Sequence, residues 1–447
     1  MMKYPQYESY KDSGVNWIGE IPVSWVTKRL KFLTTESLKY GANISAELDD
    51  IDLPRYIRIT DIDSDGNLKD ETFRSLEYHH ALSYFLKEGD ILFARSGATV
   101  GKTFIYKKSW GKCAFAGYLI KASIKENNYK SRYIYYYSKT HGYQKWIESV
   151  TIQATIQNVS AEKYASLWLP IPSPKEQQSI ANFLDKETTR LDALIAKKQQ
   201  LIENLKEKRI AIISHTVTKG LNPNVPMKDS GIEWLGAVPE GWGVKRLKYL
   251  SVINPVASEI KHLELSDEVS FVPMESISEN GGMKTDKTKE LEAVRQGYTY
   301  FKEEDVVIAK ITPCFENGKG SIAQNLVNNI GFGTTELHVV RCNPEHLDFK
   351  YFFYITNTHQ FLKLGESEMF GAGGQKRVPT EFVKNYPIAY PIDMKEQRRI
   401  IQFLDKYVGQ ILSIIDRTQK TISKLQEYKT ALISAAVTGK IKVPEQA

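Results

Sequence analysis

Cysteine is scarce in this chain: Cys113, Cys314 and Cys342 are the 3 present in 447 residues, with no CxxC and no Cys/His spacing. A disulfide framework and a thiolate metal site are therefore poor readings, and no metal is expected. Long apolar runs are missing too. No stretch of about eighteen apolar residues exists, and the opening MMKYPQYESY lacks an apolar signal region, so the expectation is a cytoplasmic protein without a membrane span. Charge of neither sign dominates. Lys and Arg number 60 against 53 Asp and Glu, and the net +7 fits a polyanion partner without identifying one. HExxH, GxSxG, GxGxxG and an Asn-Pro-Pro-aromatic methylation motif are all absent. Ser96–Thr103, SGATVGKT, comes near to a phosphate-binding loop, but GxxxxGK[ST] needs glycine where Ser96 stands. His79 and His80 form an isolated pair, expected on the surface. No polar cluster recurs in both halves of the chain, which argues against a duplicated active site.

What is present is repetition. Ser173 to Gly220 reads as one helix: Ser173 as N-cap, Pro174 at the first helical position, and Glu176 three residues after the cap as a capping box. Leu184, Leu191, Leu205 and Ile212 form one apolar row, with Ile195 and Ile202 beside it and Lys198 and Arg209 interrupting. Gly220 and Pro223 stop it. The pattern returns from Asp393 as Leu404, Ile411, Leu425 and Leu432, with Val408, Ile415 and Ile422 beside it and Thr418 and Lys429 interrupting. The offset is 220 throughout, as from Leu184 to Leu404 and from Leu205 to Leu425. Two helices of equal length and register are built to pair.

A second repeat precedes each helix. Residues 11–33, KDSGVNWIGEIPVSWVTKRLKFL, match residues 228–250, KDSGIEWLGAVPEGWGVKRLKYL. Trp17 and Trp234, and Trp25 and Trp242, are expected to clamp this leading segment onto the domain surface. The stretch between holds short β-type runs, Tyr56–Ile59, Ile91–Ala94 and Tyr118–Ala122 in the first copy, Val269–Val272, Val306–Ala309 and Leu337–Val340 in the second. An aromatic helical run follows in each, Ser131–Lys139 and Lys350–Thr358. The loops between these runs differ. The link Val217–Asp229 is begun again at Val437 and finished by Tyr4–Asp12, as in a closed cycle cut open. Adjacent termini favour an antiparallel pair of helices; a parallel pair, the alternative, would leave a gap of about a helix length, roughly 60 Å, for the short terminal segments to cover.

The pieces WIGEIP and WLGAVP, GDILFARSG, PSPKEQQSIANFLD and DMKEQRRIIQFLD, in this order, resemble the specificity subunit of type I restriction–modification enzymes, over essentially the whole chain. The resemblance implies a mixed α/β (α+β) fold: two diverged α/β target recognition domains, 1–172 and 221–392, separated by two long antiparallel coiled-coil helices, 173–220 and 393–447, in a pseudo-twofold internal repeat. It implies that each domain reads half of a split, asymmetric double-stranded DNA target. The helices would set the gap and dock methyltransferase subunits, two in number, with restriction subunits as further partners. The chain itself would carry no cofactor and no catalysis. Asn and Gln suit adenine, Arg and Lys suit guanine, and basic side chains suit phosphate. The residues expected to face DNA are accordingly Arg95, Ser96, Lys102, Gln153, Gln157 and Asn158 in the first domain, and Lys310, Lys319, Gln375, Lys376 and Arg377 in the second. Gln177, Ile180, Phe183, Gln397, Ile400 and Phe403, from the repeated helix starts, are expected to touch a partner; capping and packing onto the preceding domain is the alternative there. The competing reading of the whole is a non-catalytic coiled-coil scaffold with two protein- or carbohydrate-binding domains.

Overall fold

The computed structural model describes residues 4–63, 66–151, 158–257, 259–279, 281–372 and 374–444. Two compact units result: one takes the chain to Lys198 and resumes at Lys420, the other is Gln199–Gln419. The long helices run Pro174–Lys219 and Met394–Val437, and each contributes residues to both units. Within the first unit the start of one packs against the end of the other. Leu184 and Leu191 share a core with Leu432, Ile433, Ala436 and Val437, and Lys429 Nζ lies 2.6 Å from Asp192 Oδ1. The second unit joins Ile213 and Val217 to Ile400, Leu404 and Val408. Each pairing is antiparallel. The apolar row ends differently from its sequence reading: Ile213 is buried and Ile212 half-buried. An ideal helix drifts about 20° per heptad, so four heptads after Leu184 the inward position has moved by nearly one residue. Among the described residues no helix is long and apolar enough to cross a membrane.

The first unit is built on an antiparallel sheet of four strands in the order Lys39–Tyr40, Leu119–Ala122, Ile91–Ala94, Thr103–Ile105. Its counterpart in the second is Ser251–Ile253, Leu337–Cys342, Val306–Ala309, Gly320–Ile322. The central strands, Ile91–Ala94 and Val306–Ala309, are buried at every residue, which explains their unbroken apolar sequence. The second unit adds another four-stranded sheet, including Glu268–Val272 and Ile330–Gly333 paired parallel; among the described residues the first has the parallel pair Arg55–Ile57 and Cys113–Phe115 there. The SGATVGKT stretch is the turn of a hairpin, with one 3-10 turn at Gly97–Thr99 and a strand, not a helix, after it. A phosphate-binding loop opens a helix, so that reading falls away.

The leading segments do more than line a surface. Val26–Arg29 pairs with Trp168–Ile171, and Trp242–Arg246 with Pro387–Pro391, the strands that feed the long helices. Trp25 and Trp242 are core residues. Their indole N–H groups donate to Glu176 Oε2 at 3.2 Å and Glu396 Oε1 at 3.0 Å. Only half of the expected capping box therefore forms: Glu176 N–H donates to Ser173 Oγ at 3.3 Å, while its carboxylate accepts from Trp25 and, at 2.6 Å, from Tyr7 Oη. The aromatic helices, Ser131–Tyr137 and Phe349–Thr356, are tied in the same repeated way. Tyr133 and Tyr351 each donate to the last turn of the antiparallel partner helix, at Val437 and Val217, both at 2.9 Å. Tyr136 and Tyr354 donate to Asp185 and Asp405, both at 2.6 Å. The cut cycle is closed in space as well: Lys442 N–H donates to Pro5 at 2.7 Å and Tyr10 Oη to Gly439 at 3.1 Å.

The best-matched strand in the repeat starts from a tight turn. Lys87 N–H donates to Asp90 and Lys302 N–H to Asp305, both at 2.8 Å. The residue before the aspartate has φ +83° in the first copy, where it is Gly89, and φ +69° in the second, where it is Glu304. A side chain at positive φ costs about 1–2 kcal/mol. Glu304→Gly is expected to stabilise the second unit by about 1 kcal/mol in denaturant unfolding, and a loss of stability would contradict this account of the turn.

Candidate nucleic-acid interface

Each central strand ends in a basic residue, Arg95 or Lys310, whose backbone holds three segments together. Arg95 N–H donates to Tyr118 at 3.0 Å and its carbonyl accepts from Val159 at 2.8 Å. Lys310 N–H donates to Glu336 at 2.9 Å and its carbonyl accepts from Val378 at 2.8 Å. One residue earlier, Ala94 and Ala309 N–H donate to Lys102 and Lys319 across the hairpin, at 2.8 and 2.9 Å. One residue later, Ser96 bridges Asn158, and Ile311 bridges Arg377. At these positions the two backbone frames match bond for bond, yet the side chains they present are different. A backbone ladder specifies positions and leaves side-chain identity open, which is how two diverged surfaces can stand on one scaffold.

In the first unit the Arg95 guanidinium lies 4.7 Å over the Tyr40 ring, and its Nε donates to Asn158 Oδ1 at 3.4 Å. Tyr40 is fixed in turn by accepting from Ala161 N–H at 2.9 Å. Ser96 is half-buried beside them, Asn158 and Lys102 are exposed, and Tyr118 is exposed at the same corner. Arg95, Ser96 and Asn158 are therefore brought together, with Lys102 on the adjoining strand of the hairpin. Gln153 and Gln157 lie outside the described residues.

In the second unit Thr312 organises the loop. Its Oγ1 donates to the Gly374 carbonyl at 2.9 Å and accepts from Lys376 N–H at 3.1 Å. Gln375 and Lys376 are exposed, and Lys310 and Lys319 are half-buried. Arg377 is gripped by Glu336, with contacts of 2.8–3.1 Å to both carboxylate oxygens. That hydrogen-bonded guanidinium holds the Glu336 carboxyl below its ordinary range. Underneath, the buried His338 donates from Nε2 to the Val378 carbonyl at 2.9 Å, and burial lowers its pKa, so it stays neutral. Glu336, Thr312, Tyr40 and Tyr118 were not legible as site residues. Tyr118 and Glu336 occupy one frame position, because their carbonyls accept from the N–H groups of Arg95 and Lys310.

The repeated helix starts hold a correction. Gln177 and Gln397 are fully buried, as are Ile180 and Ile400. Gln177 donates to the Pro172 carbonyl and accepts from Lys130 N–H, both at 2.9 Å. Gln397 donates to His346 and Pro391 carbonyls at 2.8 Å and accepts from Asp348 N–H at 2.9 Å. These four side chains are spent on their own units, because a buried amide must satisfy backbone groups around it; they offer no surface to a partner. Phe183 and Phe403 are half-buried, Phe183 edge-on to Tyr4 at 5.4 Å and Phe403 beside the exposed Tyr407 at 4.4 Å. His79 and His80 are exposed as expected, but they are not isolated: ligand-type atoms of Glu77, His79 and His80 lie within 4.8 Å of one another.

Fold and site together define an internally duplicated mixed α/β protein that displays two different polar loop clusters on one repeated frame. The family model described as the type I restriction modification DNA specificity domain matches residues 52–204 and 239–424, more than half of the chain, and the chain belongs to that family. The EcoAI type I restriction enzyme specificity subunit of Escherichia coli is 40% identical over 197 residues, 43% of this chain and 32% of that protein; the match spans about a third of that relative's length. Two solved structures share the fold. The HsdS subunit from Thermoanaerobacter tengcongensis aligns over 94% of this chain and 98% of its own, with TM-score 0.53 and 15% identity. A chain from work on complex assembly and conformational transition of the type I R-M system aligns over 93% and 98%, with TM-score 0.68 and 14% identity.

Proposed function

We propose that this chain is the DNA-specificity subunit of a type I restriction–modification complex, each unit reading one half of a split, asymmetric target. The observation that carries the reading is the shared frame with unshared side chains: Arg95, Asn158 and Tyr118 in one unit stand where Lys310, Arg377 and Glu336 stand in the other. Two copies of one reader with different contact residues select two different half-sites. Lys102 and Lys376, exposed on the same loops, suit phosphate contacts that fix register. The recognition domains are residues 1–172 and 221–392, joined by the helices 173–220 and 393–447. The chain supplies no chemistry; methyltransferase subunits, two per chain, bring it, and Phe183, Phe403 and Tyr407 at the helix starts are the contact residues left to them. Restriction subunits join the same assembly. The compartment is the cytoplasm, where the DNA is.

The test is a map of modified adenines in genomic DNA from cells carrying the cognate methyltransferase with and without this chain. Methylation at one split, asymmetric motif only in its presence is the expected result. Unaffected methylation, or an unsplit motif, removes the reading. A second outcome follows from helix length. Seven residues inserted at matched positions of both long helices add about 10.5 Å, the length of about three base pairs. The unread gap is expected to lengthen by about that much with both half-sites unchanged. An altered half-site with the old gap contradicts the spacer role.

A further inference from the structure

Arg377 is held more firmly than an exposed arginine needs to be. Its backbone is bonded in both directions to Phe370, Arg377 N–H to Phe370 at 2.9 Å and Phe370 N–H to Arg377 at 3.2 Å. Its next residue, Val378, donates to the Lys310 carbonyl, and Glu336 accepts from the Lys310 N–H. Both members of the ion pair therefore hang from one residue at the end of the buried central strand. Glu336 N–H is itself fixed by Thr334 Oγ1 at 3.3 Å.

The grip is side-on. Nε donates to Oε2 at 2.9 Å and Oε1 at 3.1 Å, and Nη2 donates to Oε1 at 2.8 Å. A guanidinium has five N–H donors in a planar fork. This contact uses Nε–H and one Nη2 hydrogen. The end-on edge keeps the other Nη2 hydrogen and one on Nη1, and no described residue takes them. The Arg377 side chain is 40% exposed and Glu336 24%, so the carboxylate sits behind and the guanidinium in front. Two parallel N–H donors at that edge match the O6 and N7 acceptors that guanine presents in the major groove, and no other base presents that pair. Side-chain freedom, which an unfixed arginine would lose on binding, is already lost in the folded chain.

We propose that Arg377 reads a guanine in one half-site and that Glu336 is the positioning residue that fixes its guanidinium for that contact; the inference rests on the DNA-specificity reading above. The counterpart corner of the first unit has Asn158 and Tyr118 in these places, so the same guanine contact is confined to the half-site of the second unit. The bland competitor is a surface ion pair of little energetic weight. A phosphate contact is the other.

The experiment is selection of bound duplexes from a random pool by the full chain together with its methyltransferase subunits, repeated for Arg377→Lys and Glu336→Gln. The native chain is expected to demand guanine at one position. Arg377→Lys keeps the charge and loses the fork. Preference for guanine at that position should fall about ten- to hundredfold, with every other position unchanged. Glu336→Gln keeps the shape and loosens the grip, and should cost about three- to tenfold at that same position. A merely structural pair would leave base preference unmoved in both variants, and that overturns the proposal. Equal weakening for all sequences makes Arg377 a phosphate contact and overturns it too. A native chain that selects no sequence removes the specificity reading as a whole; a native split motif that Arg377→Lys does not alter removes the guanine assignment alone.

Discussion

Gln397→Leu is expected to destabilise the second unit by about 3–5 kcal/mol, a large part of the 5–15 kcal/mol that typically holds a domain together. The side chain is fully buried. Its amide donates to two carbonyls, His346 and Pro391, and accepts the N–H of Asp348. Leucine fills a similar volume but leaves one buried and two part-buried backbone groups without partners, each costing up to about 1–3 kcal/mol less whatever water or relaxation recovers. The damage should be local at first. Asp348 is the N-cap of the helix Phe349–Thr356, its side chain accepting from Lys350 N–H at 2.8 Å. That helix carries Tyr351 and Tyr354, which tie it to both long helices. Hydrogen exchange at the amides of this helix should therefore accelerate before the rest of the unit does. Gln177→Leu, which breaks two such bonds, should cost less, about 2–3 kcal/mol. Had these glutamines served a partner, the isolated chain would keep its stability and only the complex would weaken. A change below about 1 kcal/mol for Gln397→Leu would restore that role.

How far the sequence reaches can be seen in these same residues. The lengths, pairing and register of the long helices were legible because a helix signals its buried face with a period, and the 220-residue offset repeated that signal twice. Buried strands were legible for a related reason: Ile91–Ala94 and Val306–Ala309 are apolar throughout and have the bounds read from sequence. Polar side chains carry no such period. Glu176 looks like a capping-box residue and forms half of one, but its carboxylate goes to Trp25 and Tyr7, whose positions 151 and 169 residues away no local pattern encodes. Gln177 and Gln397 looked like a repeated contact motif because they recur; they recur because each fastens a helix start within its own unit. The candidate interface was half legible. Arg95 and Lys310 stood out through the matched strands, whereas Glu336, one residue before the matched run Leu337–Val340, acquires meaning only from its contact with Arg377.

Lys139→Met is expected to raise the stability of the first unit at neutral pH by about 2–3 kcal/mol. The ammonium donates at 2.7 Å to the carbonyl of Thr103, on the hairpin that carries Lys102, and lies 4.5 Å over the ring of Tyr135 in the helix Ser131–Tyr137. Burial, with Lys429 and Lys102 adding repulsion, brings its pKa down from 10.5 to about 8. Each tenfold loss in proton affinity costs about 1.4 kcal/mol, so the charged lysine costs roughly 3 kcal/mol wherever both states hold the proton. Methionine keeps the aliphatic stem and loses one hydrogen bond worth about 1 kcal/mol. The sign of the pH dependence follows. The folded chain releases this proton at about 8 and the unfolded chain at its ordinary value, so between them the unfolded state binds more protons and stability rises with pH. The full cost is present below pH 8. Tyrosines act in the opposite direction above about pH 10, because buried Tyr133, Tyr137 and Tyr143 are held protonated in the fold. The informative window is therefore pH 8 to 10, read as the difference between the two proteins by urea unfolding. The advantage of Lys139→Met should shrink steadily across that window. A difference that stays constant would assign the effect to packing rather than charge.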